Sequence, residues 1–156
     1  MIKNYISNKN CIIIAVSKAT EDSANSESLK LAREVDKEGA RTIGVITQVD
    51  LIDESVSILK DYNILSNKLS LGHTCVYLRP SKSTLTIEEQ LVKETEFFRR
   101  HEQYSHMVDK LGVKFLMKTM NMILVKHIKA ELPSIRENVI YLIEIKKNKL
   151  NEYGNL

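Results

Sequence analysis

Thirteen residues, Arg41-Thr-Ile-Gly-Val-Ile-Thr-Gln-Val-Asp50-Leu-Ile-Asp53, constrain this chain more than any other stretch. Thr42 to Ile46 form a short run rich in β-branched residues and flanked by helical patterns. Such runs read as strands buried on both faces of a parallel sheet. The run stops at a polar cluster, Thr47-Gln48-Val49-Asp50. In open α/β sheets, ligands bind at the loops beyond the carboxyl ends of the strands, and this cluster sits there. The Asp50 carboxylate at that end can accept two hydrogen bonds from one edge of guanine, the N1–H and the 2-amino group. Adenine lacks that pair of donors. By analogy with bidentate base contacts in nucleic-acid recognition, such a pair discriminates by about 1–3 kcal/mol.

The rest of the chain supplies partners for this strand. Met1 to Ser7 is a weak helical piece, and Cys11–Val16 is an Ile-rich strand that ends in a polar loop, Ser17 to Asn25. Ser26 is placed to N-cap a helix over Glu27–Lys37, with Leu29, Ala32 and Val35 facing inward and Gly39 ending it. Followed by Thr42–Thr47, this is a β-α-β unit, which calls for parallel strands and a right-handed crossover. Asp53 and Ser55 open a shorter helix to about Tyr62, followed by a polar stretch to Gly72. A third strand, Thr74–Leu78, ends at Arg79-Pro80-Ser81-Lys82. Thr86 caps an amphipathic helix over Ile87–Arg100, with Leu91, Thr95 and Phe98 along one side. Tyr104–Leu111 adds a helical turn or two, closed by Gly112.

From Val113 a long helix runs to Leu132 with an apolar stripe of Leu116, Met120, Ile123, Leu124 and Ile128. Pro133 removes a backbone donor and crowds the preceding turn, so the helix is expected to kink or break there. Periodicity resumes at once with Ile135, Val139, Leu142, Ile143 and Leu150. This last stripe either folds back on the α/β body or awaits helices from elsewhere. The fold class is α/β: three parallel strands with flanking helices, then a long Pro-kinked helix.

At 156 residues, with 43% hydrophobic and 28% charged residues, the chain is the size and composition of one ordinary globular domain. No apolar run approaches a membrane span, and the first residues lack a signal-peptide pattern. Cys11 and Cys75 both fall on predicted strands, where buried reduced thiols of a cytosolic protein are the expected state. His73 and Cys75 would share a strand face, but two candidate ligands do not make a metal site. Residues 110–150 hold nine Lys/Arg against three Glu, a local charge of +6 within a net +3, so everything else sums to −3. This is either a solvated basic face or a surface for acidic partner helices; nothing in the pattern points to nucleic acid.

Thr47-Gln48-Val49-Asp50 resembles the guanine-specificity motif of GTPases, usually Asn or Thr, then Lys, any residue, and Asp. The wider sequence resembles the dynamin family of large GTPases. The likeness is carried by Cys11-Ile-Ile-Ile-Ala-Val-Ser17, Asn25-Ser26, Leu31-Ala-Arg-Glu-Val-Asp36 and Arg41 to Thr47. It continues in Glu96-Phe-Phe-Arg99, Tyr104 to Gly112 and His127-Ile-Lys-Ala-Glu-Leu-Pro133. It spans about residues 5–150 and implies a partial P-loop-GTPase-like sheet. Residues 1–112 would be the C-terminal half of the GTPase domain, 113–132 its last helix, and 133–156 the start of the helix joining a bundle and stalk.

The resemblance implies a guanine-binding set of Thr47, Gln48, Asp50, Asp53 and Arg79, with two departures. Gln48 stands where the family has Lys, so the positive charge that helps to fix the phosphate loop is missing. The family's second base-contacting loop usually reads Asn-Arg-Ser, whereas this chain has Leu78-Arg79-Pro80. Asp53 reads equally well as a helix N-cap. Asp22 and Asn25 match polar family positions that contact a second GTPase domain, and alone they read as loop and pre-helix residues. Pro133 aligns with the bend of the bundle helix.

Phosphoryl transfer requires a glycine-rich loop with Lys and Ser/Thr around phosphates and Mg²⁺, and the five glycines here form no such pattern. Asp36-Lys-Glu-Gly39 matches the Asp-x-x-Gly string of a GTPase switch but closes a helix instead of following a strand. Catalytic residues and metal ligands are therefore expected outside this chain, which alone should be inactive. GTP or GDP would be bound by the complete protein. The implied partners are the N-terminal half of the GTPase domain, the bundle and stalk helices, a second GTPase domain in a homo-oligomer, and, indirectly, a membrane. The implied location is cytoplasmic and peripheral to membranes. The alternatives are a relative that keeps the fold as an assembly scaffold without the nucleotide site, and an unrelated α/β domain.

Overall fold

A computed structural model describes residues 1–53, 69–80 and 82–154. The chain forms two compact units, Met1–Thr119 and Met120–Leu156. The first is α/β. Helix α1 (Ile2–Ile6) precedes strand β1 (Ile13–Lys18), helix α2 (Glu27–Val35) and strand β2 (Thr42–Thr47). A 3-10 turn, Val49–Leu51, follows β2 and leads to strand β3 (His73–Cys75). Helices α3 (Ile87–Arg100) and α4 (Glu102–Ser105), a second 3-10 turn at Val108–Lys110, and helix α5 (Gly112–Glu152) complete the order. The helix expected from Asp53 and Ser55 to Tyr62 lies, after Asp53, outside the described residues, as do most of the polar stretch that follows it and Ser81.

The sheet has the order β1-β2-β3 and is parallel throughout, with Ile13 opposite Thr42 and Gly44 opposite His73. Central β2 is buried on both faces, as its β-branched run predicts. β1 differs: its burial alternates, leaving Ile14 40% and Val16 51% exposed on one face. An apolar run cannot tell which face will find a cover. Leu29 and Ala32 of α2, Ile46, Cys75, Phe98 and Tyr104 share one core. Full burial of side chains such as Leu29, Ile46 and Phe98 contributes about 1.5–3 kcal/mol each.

Ser26 does cap α2, its Oγ accepting from the Leu29 N–H at 3.5 Å. The helix stops at Val35, two residues short of the expected Lys37. Asp36 explains this. Its N–H donates to the Ala32 carbonyl, while its carboxylate accepts from the Ala40 and Arg41 N–H groups at 3.0 Å and from Thr42 Oγ1 at 2.6 Å. Gly39 follows with φ 60° and bonds back to the Asp36 carbonyl, so it turns the chain after the cap. Arg41 fastens the layer beneath, donating to the carbonyls of Cys11, Ile6 and Val35.

Two further expectations are corrected. Cys11 lies before β1, not on it, and is partly exposed. β3 runs from His73 to Cys75 instead of Thr74 to Leu78, although the Val76 N–H still bonds to the Ile46 carbonyl at 2.8 Å. Tyr77 leaves the sheet to stack on Phe97, with ring centroids 4.5 Å apart. Thr86 caps α3 in a complete capping box with Glu89.

In the second unit, α5 continues from Met120 to Glu152 with Pro133 inside it. Of the two outcomes expected at Pro133, a break does not occur. The proline removes one N–H, and exposed Lys129 leaves the orphaned carbonyl within reach of water. The stripe of Ile135, Val139, Leu142, Ile143 and Leu150 is 48–68% exposed. A cavity of about 380 Å³ lies along it, lined by Val139, Leu142, Ile143, Lys146, Lys147 and Leu150. Among the described residues, no helix is long and apolar enough to cross a membrane.

Candidate functional site

Because the three strands are parallel, the segments that follow Lys18, Thr47 and Cys75 leave the sheet at the same edge. That edge gathers Asp22 and Asn25, Thr47 to Asp53, and Leu78 with Arg79. Three hydroxyls pack beneath the first loop. Ser17 Oγ lies 2.6 Å from Ser26 Oγ, Ser26 Oγ lies 3.0 Å from Ser28 Oγ, and Ser28 donates to the Val16 carbonyl. They tie the end of β1 to the first turn of α2. Sequence reading found Ser26 alone, because a hydroxyl network shows no spacing signature.

Thr47 knits β2 to β1. Its Oγ1 donates to the Ser17 carbonyl at 3.2 Å, and its carbonyl accepts from the Ala19 N–H at 2.8 Å. Gln48 then takes a left-handed backbone, φ 58° and ψ 35°, unusual for a residue with a Cβ. This turn drives Val49 into the core, 2% exposed, and leaves Gln48 and Asp50 in solvent. The Asp50 carboxylate makes no hydrogen bond or ion pair with the described residues and is available as an acceptor. Asp53 is also exposed. Asp22 holds an Asx turn, its Oδ1 accepting from the Ala24 N–H and its carbonyl from the Asn25 N–H. Both side chains are exposed.

The loop after β3 is more committed. Arg79 Nη1 donates to the Leu85 carbonyl at 2.7 Å, so the guanidinium braces its own loop. Leu78 is half exposed and offers no hydrogen bond from its side chain. Asp50 therefore presents an exposed carboxylate acceptor beyond β2, whereas the Leu78 side chain presents neither a donor nor an acceptor.

Behind this loop lies a residue that the sequence reading missed. Glu94 of α3 is 3% exposed, between the positions expected to face inward. Its Oε1 accepts from the Tyr77 N–H at 2.9 Å and its Oε2 from the Val113 N–H at 2.8 Å. One turn earlier, Gln90 Nε2 donates to the Tyr77 carbonyl at 2.9 Å. Burial pushes the Glu94 carboxyl pKa up, and the Val113 and Tyr77 donors with nearby Lys114 offset that only in part. A glutamate on an amphipathic helix reads as surface, so nothing in the sequence marked it. A groove of about 370 Å³ runs past the same aromatic stack, lined by Tyr77, Lys93, Glu96, Phe97, Arg100 and His101.

The thiols make no site. Burial pushes Cys75 up to about 12, which keeps it a neutral core side chain. Among the described residues, no group of three or more His, Cys, Asp or Glu could hold a metal ion.

Comparison with known proteins gives matches along the whole chain. Residues 1–49 match a family model described as the dynamin family, and residues 58–156 match one described as the dynamin central region. A dynamin-related protein of Saccharomyces cerevisiae is 43% identical over 100% of this chain and 21% of its own length. Dynamin-1 of Rattus norvegicus is 39% identical over 99% of this chain and 18% of its own length. Dynamin-related protein 3B of Arabidopsis thaliana is 38% identical, covering 100% and 20%. The chain thus spans about a fifth of the length of these relatives.

Proposed function

This chain belongs to the dynamin family of large GTPases, and from that premise we propose that it is the base-recognising part of a membrane-remodelling mechanochemical GTPase. Residues 1–112 form the second half of the GTPase domain, 113–132 its last helix, and 133–156 the start of the helix linking it to bundle and stalk. Asp50 accepts from the N1–H and 2-amino group of guanine. Thr47 and Gln48 flank the base, and Asp53 and Arg79 border it. GTP and GDP are ligands of the complete protein, which supplies the phosphate loop, the Mg²⁺ ligands and the switches from outside this chain. Asp22 and Asn25 meet a second GTPase domain in a homo-oligomer, and Pro133 is a hinge. The protein works in the cytoplasm, at the membrane surface.

One observation carries this reading. Asp50 stands exposed and uncommitted on the turn that leaves the central strand, at the edge where all three strands end. Nucleotide competition on the full-length protein tests it. GTP should outcompete ATP, and Asp50→Asn should shift the preference toward xanthosine triphosphate, whose 2-oxo group calls for a donor. Equal affinity of the wild type for GTP and ATP would defeat the reading.

A second reading, an assembly scaffold without a working nucleotide site, is favoured by Gln48, by Leu78 and by the bond that commits Arg79 to Leu85. It expects no saturable binding of either nucleotide with the dimensions of oligomeric assembly retained.

A further inference from the structure

We infer that Glu94 is a positioning residue that joins the loop after β3 to the first turn of α5, so that whatever moves one moves the other. The two oxygens of a single buried carboxylate hold backbone N–H groups from segments 36 residues apart in sequence, Tyr77 and Val113. Each serves a different end. Tyr77 immediately precedes Leu78 and Arg79. Val113 is at the start of α5, where a helix leaves its first N–H groups without intrahelical partners.

Three features make the joint stiff. Gln90 and Glu94 are one helical turn apart on α3, and together they grip both the carbonyl and the N–H of Tyr77. Tyr77 cannot shift along α3 without breaking one of these bonds. Its ring is also stacked on Phe97 of the same helix. On the other side, Gly112 has φ 85°, and a Cβ placed there would lie 2.9 Å from Glu94 Oε2. The chain therefore approaches the carboxylate as closely as a bare backbone allows. Charge-assisted bonds to backbone N–H groups in a water-poor site are also among the strongest a side chain can make. An acceptor that served only to cap α5 would not need its second oxygen on another segment.

The inference that nucleotide occupancy reaches α5 rests on the proposed reading of the loop after β3. The joint itself does not. Hydrogen exchange on the full-length protein separates the two. In the wild type, GTP should slow exchange in peptides containing Val113 as well as those containing Tyr77. In Glu94→Gln, the single carbonyl oxygen can serve only one of the two N–H groups. Exchange of the other should speed up about tenfold or more, the equivalent of one charge-assisted hydrogen bond. The GTP-induced slowing at Val113 should vanish while GTP still binds. A purely structural Glu94 would lower the melting temperature and leave that slowing intact, which overturns the proposal, as does a wild type in which GTP leaves Val113 unchanged.

Gly112→Ala serves without nucleotide and leaves Glu94 itself unsubstituted. Crowding Oε2 from the α5 side should speed exchange at Tyr77 on the far side of Glu94. Unchanged exchange at Tyr77 overturns the joint. If the wild type binds no guanine nucleotide, the base reading fails, and this variant decides the joint alone.

Discussion

Protonating His73 would place a charge under the sheet where water cannot follow. Its ring lies against the Gly44 backbone, and burial first, then the nearby Arg33 charge, bring its pKa from the ordinary 6.5 down to about 4. The unfolded chain therefore takes up this proton before the folded chain does. The stabilisation from neutral His73 is complete above about 6.5 and is lost as pH falls toward about 4. Urea-denaturation midpoints should decline across that window, and His73→Leu should flatten the decline. Asp36 acts lower on the scale. Burial pushes its carboxyl up, but the bonds from Thr42, Arg41 and Ala40 outweigh this and leave the pKa below 3.8. Its contribution is present above that value and is lost as pH falls further, so Asp36→Asn should remove a second, more acidic decline. A midpoint that stays flat from neutral pH to 4 in the wild type would refute the His73 account.

At the scale of elements, caps were readable and terminations were not. Ser26 and Thr86 were legible because a hydroxyl before an apolar-periodic run has one common use. Thr86 and Glu89 form both bonds of a capping box at the solvent-exposed start of α3. Thr86→Ala should therefore lower stability by about 1 kcal/mol, read as a shift in unfolding midpoint, with nucleotide preference unchanged. The end of α2 was illegible because Asp36 stops it through bonds to residues four to six positions later. β3 was overextended for a different reason. The run through Leu78 stays apolar, but the sheet releases Tyr77 to an aromatic stack contributed by α3. The exposed place of Asp50 just beyond β2 was legible, because strand pattern and topology suffice for it. The bonds of Arg79 and Glu94 were not, because they depend on backbone groups that no sequence spacing reveals.

For the molecule as a whole, what the chain leaves uncovered matters as much as what it buries. Val139, Leu142 and Leu150 keep 50–68% of their surface in water along a basic helix. If 133–156 begins a linking helix, Val139→Asp and Leu142→Asp should disrupt assembly of the full-length protein, seen by sedimentation. They should leave guanine-over-adenine preference intact, because these residues belong to the second unit. Unaltered sedimentation would return this stripe to an ordinary solvated surface.

The meeting of Gly44 with His73 has a wider result. An added methyl at position 44 would fall 2.0 Å from the imidazole, so the ring fits over bare glycine and leaves no room there for a side chain. This contact works like a notch and pawl between neighbouring strands. It resists sliding of β3 past β2, and with it any change of register between the two strands.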